Sequence, residues 1–63
     1  MKYREIIRII EKDGWIIDRQ KGSHKQYKHS FKKGLVTISG KNNQDIPIGI
    51  LKSILKQSQI NLK

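Results

Sequence analysis

The stretch KGSHKQYKH, residues 21–29, sets both histidines of the chain among three lysines, directly after a glycine-serine pair. An imidazole exchanges protons near neutral pH, and lysines supply positive charge around it. These residue types suit attack on a phosphodiester by its own 2′-hydroxyl. That reaction needs a base for the hydroxyl proton, cations for the charge growing on the phosphate, and an acid for the departing 5′-oxygen. His24, with Lys21, Lys25 and Lys28 nearby, is the candidate base. Other chemistries have less to draw on. The chain contains no cysteine, which excludes a thiolate nucleophile and a disulfide framework. Its five acidic residues are scattered, with no grouping suited to a metal, and no cofactor is expected. Ser23 reads as a turn residue, because a Ser-His neighbour pair does not make a triad by sequence proximity.

The elements on either side must hold this stretch in place. In YREIIRIIEKDG, Tyr3, Ile6, Ile7 and Ile10 recur at helical spacing and predict an amphipathic helix, stopped by Gly14. From Trp15 the period changes to two. WIIDRQ predicts a strand with Trp15 and Ile17 on its inner face, KGS a turn, HKQYKHS a second strand ending at Ser30, and FKKG a turn into a third strand, LVTIS. After the polar loop GKNNQD, Pro47 suits the first position of a second helix, with Asp45 satisfying its free N–H groups. Leu51, Ile54 and Leu55 form that helix's apolar stripe, and Gly49 suggests either a close approach by another segment or a later helix start. Ile60 and Leu62 can pack back on the core, or the last few residues fray. The expected fold class is α+β, in the order α-β-β-β-α. Two helices cover one face of a three-stranded antiparallel sheet, and residues 1–63 form a single domain.

Strand alternation then sorts the side chains. Tyr27, the core candidate of the second strand, shares parity with Lys25 and His29, whereas His24, Gln26 and Lys28 point to the open face. The two histidines therefore do not form one site unless a bulge intervenes. His29 reads as structural or exposed, and Trp15 and Tyr27 as core residues rather than stacking platforms.

Size and charge bound what this face can do. A domain of 63 residues buries only about 60% of the surface its unfolded chain exposes, so its stability is expected at roughly 3–5 kcal/mol. The net charge is +9, and residues 19–33 carry Arg19, Lys21, Lys25, Lys28, Lys32 and Lys33 with no acid. Such a field attracts polyanions, nucleic acid first among them. The charged N-terminal stretch and the lack of a long apolar run predict no signal peptide and no membrane partner, and hence a soluble, cytoplasmic protein. On the residues alone, the plainer reading of His24 is the stronger: a surface imidazole that at most hydrogen-bonds a phosphate.

The ordered set Gly14-Trp15, Arg19, Gly22-Ser23-His24, Tyr27, Val36-Thr37 and Ser53-Ile54-Leu55-Lys56-Gln57 resembles the HicA-type (YcfA-like) toxins of bacterial toxin-antitoxin pairs. The likeness runs from residue 1 to about residue 60. It implies a fold similar to a double-stranded RNA-binding domain, translation-inhibiting cleavage of mRNA, and an active-site histidine that maps onto His24. It also implies a HicB-type antitoxin that binds the toxin and shields that site. Many such toxins carry another histidine after the third strand, where this sequence reads SGKNNQ, so no second catalytic histidine carries over. The acid role falls to His24 itself or to Lys21, Lys25 or Lys41. The expected RNA-contacting set is Lys21, Gly22, Ser23, Lys25, Gln26, Lys28 and Lys41.

Two rivals differ in class. A non-catalytic RNA-binding module of the same fold would leave RNA intact and respond little to loss of His24, though Lys52 and Lys56 offer only a thin basic row for duplex binding. A regulatory protein docking its basic hairpin on an acidic partner would lose RNA affinity at physiological salt.

Overall fold

The computed structural model describes residues 1–61. Its order is α1 (Tyr3–Lys12), β1 (Ile16–Lys21), β2 (His24–Lys28), β3 (Val36–Ser39) and α2 (Ile48–Ser58). The strands form one antiparallel sheet in the order β1-β2-β3. Tyr3, Ile6 and Ile10 of α1 and Ile54 of α2 share one core with Trp15, Tyr27, Val36 and Ile38. The expected α+β arrangement is therefore present.

Helix α1 ends through the backbone. Trp15 N–H donates to the Ile10 carbonyl and Gly14 N–H to the Glu11 carbonyl, each at 3.0 Å, the double closure of a Schellman motif. This folds Trp15, two residues past the C-cap Asp13, back onto Ile10, both fully buried. Trp15 is thus buried as expected, but as part of a helix end, and β1 starts one residue later than the alternation suggested. The N-terminus of α1 is held by the loop after β3, where the Gln44 and Asn42 carbonyls accept from Tyr3 and Arg4 N–H at 3.0 and 3.1 Å.

Three expectations for the second half give way to other contacts. Pro47 sits just before α2 rather than inside it. Asp45 makes no cap to α2; its carboxylate lies 3.6 Å from Lys2 Nζ, where the two residues form an isolated β-bridge. Gly49 faces open space, so no close approach explains it, and α2 begins at Ile48, so it does not mark a later helix start. Helix α2 ends at Gln59 in the left-handed conformation, φ 58°, with Ile60 N–H reaching back to the Leu55 carbonyl at 3.2 Å. Ile60 is partly buried against the core, as expected; Leu62 lies outside the described residues.

In β1, Ile17 was expected to face inward, yet it is 48% exposed, because β1 is an edge strand left exposed along its whole length. The pairing explains more. Ile17 pairs with Tyr27 but Arg19 pairs with Gln26, so one extra residue, Asp18, bulges out of the ladder. A bulge reverses the alternation beyond it. Arg19 and Lys21, which strict alternation places on the face of Ile17, are carried to the other face.

Candidate active site

A two-residue turn joins β1 to β2. Gly22 adopts φ 60° while Ser23 stays at negative φ, and Lys21 pairs directly with His24. That is the glycine-first hairpin turn whose twist matches the strands, and only glycine adopts its first position without strain. His24 accordingly stands at the first rung of β2, on a regular ladder rather than in a loop.

Register fixes its neighbours. One row across the open face runs Lys21, His24, Ser39, and the next runs Arg19, Gln26, Thr37. Arg19, Lys21, His24 and Gln26 line an open depression of about 240 Å³. His24 is exposed, and neither nitrogen of its ring is hydrogen-bonded among the described residues. Such an imidazole is free to meet a ligand.

The remaining residues of the expected set separate around this centre. Gln26 and Lys21 line the depression, and Gly22 and Ser23 form its turn. Lys28 lies further along the same face, where it pairs with Asp18 at 3.3 Å. Lys25 is on the other side of the strand, sharing the face of buried Tyr27, and its ammonium reaches Asn42 Oδ1 at 3.4 Å. Lys41 is exposed in the loop after β3, its backbone N–H bound to Gln44 Oε1 at 2.9 Å. Arg19 was absent from the expected set. Its charge was visible in the sequence, but its face depends on the bulge.

Burial also settles what two aromatic residues do not do. Trp15 and Tyr27 are 1% and 2% exposed, so neither offers a ring to a base. Burial pushes the Tyr27 phenol above its ordinary pKa, with the negative charge of Glu11 adding to the effect, so it remains protonated at neutral pH.

His29 is engaged elsewhere. Its Nδ1 accepts from the backbone N–H groups of Phe31 and Lys32 at 3.0 and 3.2 Å, which leaves the ring proton on Nε2 to donate to the Asp13 carbonyl at 2.6 Å. The ring also meets Trp15 edge to face, with centroids 5.2 Å apart. Lys32 completes this junction: its ammonium binds the Asp13 carboxylate and the Ser58 carbonyl at the end of α2. The Lys32 ammonium, with a smaller effect from His29, holds the Asp13 carboxyl below its ordinary pKa. His29 is thus structural, tying the end of α1 to the β2–β3 connection.

With this geometry in place, comparison with known families is decisive. The family described as the HicA toxin of bacterial toxin-antitoxin systems matches residues 3–60. The chain belongs to the HicA toxin family. Membership implies an antitoxin partner, and the family is known for mRNA interferases. No curated protein matches the chain as a relative. The HicA match spans every element described above, from the first residue of α1 to just past α2. Among the described residues, no helix is long and apolar enough to cross a membrane, and no three His, Cys, Asp or Glu side chains group closely enough to hold a metal ion.

Proposed function

We propose that this HicA toxin is a metal-independent endoribonuclease that cleaves mRNA and so inhibits translation, with His24 as its base. The observation that carries the reading is the unpartnered imidazole of His24 on the open sheet face, in one depression with Lys21, Arg19 and Gln26. A phosphodiester entering there meets a proton acceptor and positive charge together.

In the reaction, His24 takes the proton of the ribose 2′-hydroxyl, and the 2′-oxygen attacks phosphorus. The bond from phosphorus to the 5′-oxygen breaks, giving a 2′,3′-cyclic phosphate and a free 5′-hydroxyl. The proton held by the imidazole returns through solvent to the 5′-oxygen, so one histidine completes the cycle with no net gain or loss. Lys21, opposite His24 on the same row, supplies positive charge beside the reacting group. Gly22, Ser23 and Lys28 extend the RNA-contacting surface along this face, with Lys41 at its margin and Lys25 on the other side of the strand. A HicB-type antitoxin would inhibit the toxin by covering the depression with acidic groups, which would offset the positive charge gathered there.

The test is cleavage of a long single-stranded RNA in EDTA by the wild type and by His24→Ala, with circular dichroism showing both folded. Cutting by the wild type alone, with cyclic phosphate ends, is the expected result. Intact RNA bound by both proteins would support the binding-module reading, and 5′-phosphate products would exclude the 2′-hydroxyl route.

A further inference from the structure

The Asp18 bulge adds a second cation to the histidine's face, and that cation is an arginine. We propose that Arg19 grips the two non-bridging oxygens of the scissile phosphate and stabilises the charge that builds on them as the 2′-oxygen attacks. This deepens the ribonuclease reading above and rests on it.

Four observations point to Arg19. It pairs with Gln26, one row along the sheet from the row of Lys21 and His24, and two residues of strand span about 7 Å, within reach of its long side chain. It lines the same depression as His24. No carboxylate pairs with it among the described residues, because Asp18, its neighbour in sequence, is engaged by Lys28. Its position on this face requires the bulge, since a regular strand pairing Ile17 with Tyr27 would turn Arg19 the other way. The other cations of the basic run are placed differently. Lys28 and Lys32 are ion-paired, and Lys25 lies on the far side of β2.

The chemistry distinguishes arginine from lysine. A guanidinium presents parallel N–H donors in a plane and so matches two phosphate oxygens at once, whereas an ammonium acts as a point charge. With one imidazole moving the proton, the charge on the phosphate needs its own donor. Lys21 then remains to attract the neighbouring backbone and orient the strand.

Single-turnover cleavage at saturating RNA tests this, together with equilibrium binding of the same RNA carrying a 2′-deoxy residue at the cut site. Arg19→Ala should lower the cleavage rate by about 10²–10³-fold, while affinity for the uncleavable RNA falls less than about fivefold, the size of one lost phosphate contact. Arg19→Lys should regain affinity but less than a tenth of the rate. Arg8→Ala, which removes the same charge from the exposed side of α1, should cut like the wild type. Arg19 is exposed and unpaired among the described residues, so the variants should fold; Arg19→Gln serves if the alanine form does not. Wild-type rates in Arg19→Ala, or a loss confined to affinity, would overturn the assignment while leaving His24 as the base. RNA left intact by the wild type itself would remove the ribonuclease reading and this inference with it.

Discussion

The two histidines lie five residues apart and have opposite surroundings. His24 is exposed, with no hydrogen bond to its ring among the described residues, on a face where cations gather. His29 has a side chain only 7% exposed and both nitrogens bonded, at the meeting point of α1 and the β2–β3 connection. The same side chain is the proposed reagent in one place and a fastener in the other. What separates them is whether the backbone has already claimed the ring's lone pair and proton.

Replacing each histidine by alanine gives the sharpest test of this contrast. His24→Ala should abolish cleavage by about 10²–10⁴-fold while leaving the unfolding curve within about 0.5 kcal/mol of the wild type. His29→Ala strands two backbone N–H groups and a carbonyl, and should cost about 2–4 kcal/mol in urea unfolding monitored by circular dichroism. Against an expected stability of roughly 3–5 kcal/mol, that would unfold much of the population. Its activity per folded molecule should be unchanged. An unfolding curve left in place by His29→Ala would erase the difference between the two sites.

A smaller effect is expected at Gly14, which supports the buried histidine from outside. Gly14 has φ 104°, and a β-carbon there would stand 2.8 Å from His29 Nε2. Gly14→Ala should therefore destabilise by about 1–3 kcal/mol in the same urea titration, through backbone strain and displacement of the ring. Cleavage by the folded fraction should stay at the wild-type rate.

The smallest effect concerns acid. The Asp13 carboxyl, depressed by Lys32, contributes stability that is full above the ordinary carboxylate value and is lost as pH falls through its lower folded value, below about pH 4. For a partly exposed pair this is under about 1 kcal/mol. Melting temperatures measured between pH 7 and pH 2 should fall more steeply for the wild type than for Asp13→Asn. Parallel slopes would show that the Lys32 pair is not what couples this junction to pH.

Much of the fold was legible because its signals are local. The period of Ile6 and Ile10, the stop at Gly14 and the Gly22-Ser23 turn each act within a few residues, and His24 falls on the open face by simple alternation from Tyr27. Arg19 and Ile17 depart from expectation for different reasons: a bulge leaves no mark in residue type, so alternation counted across it to Arg19 comes out inverted, whereas Ile17 keeps the face of Tyr27 and is exposed because β1 is an edge strand. The cap of α2 was hidden because Gln59 takes the left-handed position where glycine is the usual signal. Lys32 looked like a turn lysine, since its partners lie 19 and 26 residues away in the chain.

The bulge at Asp18 also bears on how the strand can vary in length. Losing one residue from a strand ordinarily turns every later side chain to the wrong face. Here the surplus residue is already looped out, so a chain lacking Asp18 would pair Ile17 with Tyr27 and Arg19 with Gln26 in an unbroken ladder. Such a shortened toxin would keep its cations beside His24, and β1 could shed that one amino acid over evolutionary time without dismantling the face it serves.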